Sequence, residues 1–340
     1  MRRPLSVLTV LVSALLLSAC ATTAPAEGAA GTGGGDSVLN VVASTSVYAD
    51  VARAVGGENV EVKAIVDKTS QDPHSYEATA RDMLALSKAD VIIANGDGYD
   101  PFMESLAGGL ELPPGAIMHA VDFAERSDSH EGHDEHAEAD EHAEAEVQEE
   151  AAEPAGGSHA GHDHSGPNEH VWYDVHTVGA LAEGLADKFA SLKPEKAAEF
   201  EAAAHAFEAR VDSLAGRIDA LRPAAEGKTF AMTEPVSYYL LTEAGLKDAT
   251  PSGFSAAMES GDDVSPLLLK RLNDGLVNRE YALLALNTQT SGPQTDKVRS
   301  IAEAAGVPII SMTETLPPGQ DYISWMDSNV QQLEVALGNQ

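Results

Sequence analysis

Hydrophobic positions along the chain alternate between short continuous apolar runs and stretches with apolar residues every three or four positions. Residues 38–43, 60–66 and 91–94 are mostly apolar and read as strands bounded by turn signals such as Gly56-Gly57 and Asn95-Gly96, and a fourth covers 117–121. Between them, residues 47–55 and 79–89 carry helical spacing. The alternation returns later, with strands predicted over 229–232, 281–286 and 308–312 and helices over 236–244, 266–276, 295–305 and 322–337. Buried runs separated by amphipathic helices predict parallel sheets with helices on their faces, hence an α/β class.

The two alternations are separated by helical pattern over 174–192 and by a long helix that starts at Lys193-Pro194-Glu195, where proline is tolerated in the first turn. Phe200, Phe207, Val211, Leu214, Ile218 and Leu221 recur at spacings of seven, four and three, which lays one apolar stripe along that helix, and Pro223 and Gly227 end it. The expected architecture is two lobes, residues 38–192 and 224–340. Each is a mostly parallel sheet flanked by helices, and one rigid backbone helix over 193–223 joins them.

The first residues belong to a different kind of segment. Arg2 and Arg3 precede an apolar stretch over 5–17 that is too short to span a membrane, so residues 1–19 read as a signal peptide. The segment closes with Leu17-Ser18-Ala19-Cys20, which resembles a bacterial lipoprotein box. Cys20 is the single cysteine, which excludes an intramolecular disulfide. Acyl chains on Cys20 would hold the protein to the outer face of a membrane. Residues 20–37, rich in Ala, Thr, Gly and Pro, form a flexible tether.

Charge narrows the partners. The formal net charge is −33, and fourteen acids lie between residues 122 and 153 against a single arginine. Such a chain repels nucleic acid and anionic headgroups and attracts cations. Residues 128–170 hold eight of the twelve histidines: His130, His133, His136, His142, His159, His162, His164 and His170. Imidazole and carboxylate together are ligands for zinc and its neighbours. Within this stretch Asp134-Glu135-His136-Ala137-Glu138-Ala139 is followed by Asp140-Glu141-His142-Ala143-Glu144-Ala145. A period of six matches no helix face and sets no tetrahedral geometry, so residues 126–166 read as a disordered, metal-capturing loop.

A tight site needs about four ligands held by rigid parts of the fold. Doubly wound sheets bind at the carboxyl ends of their strands, and four residues fall there. His74 stands in Gln71-Asp72-Pro73-His74-Ser75-Tyr76-Glu77, where Pro73 stiffens the approach. His170 stands in Asn168-Glu169-His170-Val171-Trp172-Tyr173-Asp174. Glu234 follows the strand over 230–232, and Glu314 the strand over 309–312, although either could instead cap a helix. His119 and His176 are read as structural and His205 as a surface residue.

These motifs resemble the cluster A-I solute-binding proteins of zinc and manganese ABC importers, across nearly the whole mature chain. Asp72-Pro73-His74-Ser75-Tyr76-Glu77 is similar to the family's first-ligand motif and His170-Val171-Trp172-Tyr173-Asp174 to its second. Phe230-Ala231-Met232-Thr233-Glu234, with Tyr238-Tyr239, resembles the third. Pro308-Ile309-Ile310-Ser311-Met312-Thr313-Glu314 falls where the family usually has aspartate, so Glu314 departs by one methylene. A His-rich insertion before the second histidine is similar to that of the zinc-binding members. The resemblance implies two lobes bridged by a backbone helix, a metal ligated by His74, His170, Glu234 and Glu314 in the cleft, and delivery to an ABC permease by a monomeric, extracytoplasmic lipoprotein that is not an enzyme.

Zinc is the expected cargo, because two histidines and the ordinary divalent affinity order favour it, with manganese as the alternative for an oxygen-rich site. Two readings of other classes remain. An extracellular zinc metalloenzyme would need an open coordination position, and His130-Glu131-Gly132-His133 lacks the two-residue spacing of the His-Glu-x-x-His helix. A metal-buffering or cell-adhesion lipoprotein would use the loop alone and bind several weak equivalents. Imidazole binds metal only when neutral, so metal taken up by the loop is expected to fade below about pH 6.5. Equilibrium dialysis across pH checks this, and unchanged loop occupancy at about pH 5 would contradict it.

Overall fold

The two alternations fold into two sheets of the same topology. The computed structural model describes residues 38–124, 168–290 and 292–338. The signal segment, Cys20, the tether and the loop histidines from His130 to His164 lie outside the described residues.

In the first half, β1 (Leu39–Thr45), α1 (Ser46–Gly56), β2 (Val60–Val66), α2 (Ala80–Leu86), β3 (Val91–Ala94), α3 (Pro101–Gly108) and β4 (Ile117–His119) follow in order. They form a sheet of order β2-β1-β3-β4, parallel throughout, with Val41 in register with both Val62 and Val91. The chain continues through α4 (Val175–Leu192), α5 (Ala197–Asp219) and α6 (Arg222–Ala225).

The second half is built from β5 (Thr229–Met232), α7 (Tyr238–Glu243), β6 (Lys247–Asp248), α8 (Phe254–Glu259), α9 (Pro266–Val277), β7 (Leu283–Asn287), α10 (Pro293–Ala305), β8 (Ile309–Met312) and α11 (Tyr322–Gly338). Its sheet order is β6-β5-β7-β8, again parallel. In each sheet the first strand has neighbours on both sides, so the direction of winding reverses there. Crevices of this kind, at the carboxyl edge, are where α/β sheets bind ligands.

The apolar stripe of the long helix packs as its spacing predicts: Phe200, Phe207, Val211, Leu214 and Ile218 are buried. They join one core cluster that takes in Val41 and Val47 from the first sheet's side and Phe230 and Leu333 from the second's. Pro194–Lys196 form a separate 3-10 turn, so the helix proper begins at Ala197 and closes at Asp219. The short helices α3 and α8 and the two-residue strand β6 were not anticipated. Around α8, Pro251, Gly253, Gly261 and Asp262-Asp263 interrupt any helical period.

Further hydrogen bonds hold the halves together. Leu316 N–H donates to Ser46 Oγ at 2.9 Å, Tyr322 N–H to Asp50 Oδ2 at 2.8 Å, and Tyr173 O–H to the Thr313 carbonyl at 2.8 Å.

The loop that carries His74 is tied down by Asp82. At the third position of α2 its carboxylate accepts from the Thr79 hydroxyl at 2.6 Å, the Tyr76 hydroxyl at 2.9 Å and Lys63 Nζ at 3.1 Å, while Thr79 caps the helix in return. Burial would raise this carboxyl's pKa, but the hydrogen bonds from Thr79, Tyr76 and Lys63 outweigh it and hold it below the usual range. Its contribution is therefore complete above the unfolded value of about 3.9 and is lost as pH falls through the lower folded one. Asp82→Ala is expected to cost about 1–2 kcal/mol near neutrality, measured by urea unfolding, with the deficit shrinking below about pH 4. A deficit that stays constant to about pH 2 would contradict this assignment.

Candidate metal centre

The carboxyl ends of β2, β3, β5, β7 and β8 converge on one buried polar cluster. His74 arrives on a turn set by Asp72, whose carboxylate accepts from the His74 N–H at 2.9 Å and the Ser75 hydroxyl at 2.7 Å. Its ring stands edge-on to Tyr99, 4.8 Å away between centroids.

His170 is fully buried, and its tautomer is fixed by Asn168. The Asn168 side-chain amide donates to the Pro235 carbonyl at 2.8 Å, and a carbonyl can only accept. The opposite, oxygen end of that amide therefore faces His170 Nδ1, 2.7 Å away, so Nδ1 carries the proton. Nε2 is left as the lone-pair nitrogen and is directed into the cluster, an arrangement typical of metal-binding histidines. The preceding residue is held as well, because the Asn95 side-chain amide donates to the Glu169 carbonyl at 2.9 Å.

Carboxylates complete the cluster. Glu259 Oε1 lies 3.3 Å from His170 Nε2 and 3.9 Å from His74 Nε2, while Glu314 Oε2 lies 3.7 Å from His74 Nε2. His74, His170 and Glu259 each bring one ligand atom within 4.8 Å of the others. Ligands of a tetrahedral zinc ion stand roughly 3.4 Å apart, so these spacings need only a small contraction around an ion. Glu314 also accepts from the Tyr99 hydroxyl at 3.1 Å and from Asn287 Nδ2 at 2.7 Å. The same Asn287 amide donates to Glu234 Oε2 at 2.6 Å, and the Thr290 hydroxyl donates to the other Glu234 oxygen.

Burial, then the Glu169 and Glu234 carboxylates, push Glu259 up to about 9. Burial, then Glu234, pushes Glu314 up to about 8. A divalent cation among these groups would oppose both causes.

Of the four residues expected to meet, His74, His170 and Glu314 do so within 4 Å or through the shared Glu259. Glu234 belongs to the same buried network through Asn287, and both it and Glu314 stand outside the group of closest ligand atoms formed by His74, His170 and Glu259. Its carboxylate makes no capping bond to the helix that follows. Glu259, Asn168 and Asn287 were missed. Asn168 sits inside the quoted second motif and Asn287 at the end of a predicted strand, so both had a positional signal. Glu259 had none, because its helix could not be read from the sequence. Histidines 119, 176 and 205 lie apart, beside Asp122, Glu243 and Glu208 respectively.

Residues 41–336 match the family described as ZnuA, zinc-uptake complex component A periplasmic. The chain belongs to that family. Among its relatives, the zinc-binding lipoprotein AdcA of Streptococcus pneumoniae is 22% identical over 339 residues, which is 98% of this chain and 60% of AdcA. The chain thus spans about three-fifths of that relative. The iron ABC transporter substrate-binding lipoprotein MtsA of Streptococcus pyogenes serotype M1 is 22% identical over 341 residues, 96% of either chain. In fold, this ZnuA-family chain is similar to the periplasmic zinc-binding protein TroA of Treponema pallidum, with a TM-score of 0.66 and 18% identity over 88% of this chain and 99% of that one. The two-lobed α/β architecture is thereby shared.

The Asn168 lock yields a prediction. Asn168→Ala frees the His170 ring and its tautomer, and is expected to weaken metal binding by about 10–100-fold with thermal unfolding of the metal-free protein little changed. Competition with a chromophoric chelator measures the affinity, and an unchanged value would show that Nδ1 needs no partner.

Proposed function

We propose that this chain is an extracytoplasmic binding protein that captures one divalent transition-metal ion in the cleft between its lobes and delivers it to the permease of an ABC importer. Zinc is the preferred cargo. The lipid on Cys20 keeps the protein at the membrane, and residues 38–192, 193–223 and 224–340 act as lobe, bridge and lobe. The single observation that carries this reading is the convergence of two imidazoles, from His74 and His170, with the buried carboxylates of Glu259 and Glu314 at the carboxyl edges of both sheets.

Cargo and cluster fit chemically. The lone pair of His170 Nε2 and the neighbouring carboxylate oxygens form a mixed nitrogen–oxygen set, which suits zinc and accommodates manganese. Glu234, through Asn287, orients Glu314 and is the reserve oxygen donor for an ion of higher coordination number. Manganese as cargo of the same kind of protein is the second reading, favoured by that third carboxylate. Catalysis is disfavoured because four protein ligands around zinc leave no open position for a substrate.

The test is elemental analysis and titration of the mature protein. One tight equivalent of zinc is expected, outcompeting manganese and retained when residues 128–166 are deleted. His74→Ala and His170→Ala are each expected to lower affinity by about a hundredfold or more while the protein still unfolds cooperatively. Several weak equivalents that vanish with the deletion would instead favour a buffering role for the loop. Hydrolytic turnover dependent on His74 would revive the metalloenzyme.

A further inference from the structure

Glu259 differs from the other acidic residues of the cluster in the element that carries it. Glu234 and Glu314 sit just past strands β5 and β8. Glu259 is instead the last residue of the six-residue helix α8. That helix starts from Gly253, at φ 80°, and is followed by Ser260 and Gly261, at φ 68°. Both glycines occupy the left-handed region, where a side chain would be strained, so at each end of the segment the backbone is unrestricted by a Cβ. The helix is anchored at its beginning: Phe254 is fully buried in a second core cluster with Leu272 and Leu286. Its far end reaches the two histidines of the opposite lobe. The segment is a lever fixed at one end with a ligand at the other.

The same carboxylate forms part of a cavity wall. A cleft of about 490 Å³ lies beside the cluster, lined among others by Asn168, Glu169, Tyr239, Asp248, Pro251 and Glu259. Its lining is acidic, with Glu169, Asp248 and Glu259 all part of it, a field that concentrates cations. Glu259 therefore touches the ligand cluster on one side and open space on the other, and the remaining ligand residues do not line this cleft.

We propose that Glu259 is the exchange ligand of the cleft: the cation enters and leaves through the 490 Å³ cavity, and Glu259 closes over it last and lets go first. This inference rests on the reading of the cluster as a cation site. Release begins when water from the cavity replaces the Glu259 carboxylate oxygen on the cation and α8 swings on its two glycines. His74, His170 and Glu314 hold the ion until that step. Glu259 therefore sets the dissociation rate, and the width of the cavity sets how fast the ion passes in either direction.

The test uses zinc-loaded mature protein mixed rapidly with excess chelator. Glu259→Gln and Glu259→Ala are expected to keep one equivalent of zinc but release it about tenfold faster or more, with Glu259→Asp in between. Ser252→Trp, at an exposed position on the cavity wall, is expected to slow both binding and release about equally, leaving the equilibrium constant within about twofold. Release rates of the Glu259 variants within about twofold of the parent protein, or rates untouched by Ser252→Trp, would overturn the proposal. If the parent protein itself takes up no tight equivalent, the cation site fails and this inference with it. Tight parent binding with unchanged variant rates removes the exchange role alone.

Discussion

Three glutamates, at positions 234, 259 and 314, are packed into one largely water-excluded space beside two imidazoles, and everything else about the cleft follows from keeping them there. Burial raises the proton affinity of all three carboxyls, with Glu234 adding to it at Glu259 and Glu314 and Asp72 adding to it at Glu234. A fold that tolerates this needs donors to hold each oxygen. Asn287 and Thr290 serve Glu234, and Tyr99 and Asn287 serve Glu314. A divalent cation is the partner that turns this costly arrangement into a favourable one, which is why the cluster points to capture rather than to structural support.

The architecture fixes the loops that carry His74, His170 and Glu314. Gln289 accepts from the Glu314 N–H at 2.6 Å and the Thr315 N–H at 2.9 Å, while its amide donates to the Gln71 carbonyl at 3.0 Å. One side chain thus couples the loop carrying His74 to the loop carrying Glu314, across the lobes. Asn168 does the same for His170, reaching Pro235 and receiving the Tyr239 hydroxyl on its own carbonyl at 2.7 Å. Beneath these contacts the buried rings of Tyr48, Tyr99, Trp172 and Tyr173 pack edge to face or tilted, a layer that fixes ring positions through shape. Preorganisation of this kind lowers the entropic cost of gathering ligands from separate strands.

Much of this was legible in the residue order. The apolar runs 91–94 and 229–232 became strands with those limits, because a run buried on both faces has few alternatives, and 60–66, with Glu61 and Lys63 interleaved, became the half-buried edge strand β2. His74 and His170 could be singled out because proline and aromatic neighbours mark them within short motifs, and Glu314 because it follows a strand. What stayed hidden depends on tertiary structure. The Asn287 amide matters only because β5 and β8 flank β7 and bring two carboxylates to it. Glu259 lies in a segment whose glycines and proline read as a loop, and its helix forms through the burial of Phe254, a long-range contact that no local period announces. The His-rich stretch is the most conspicuous feature of the sequence, while the buried polar cluster draws on residues scattered from 74 to 314.

The central claim is that the cation sits among the two cleft histidines and the buried glutamates. X-ray absorption spectroscopy on zinc-loaded protein lacking residues 128–166 tests it most directly. One zinc per chain is expected, in a shell of two imidazoles and oxygen donors, with zinc–nitrogen distances of about 2.0–2.1 Å. A shell of oxygens alone, or the loss of stoichiometric zinc with the deleted loop, would contradict it.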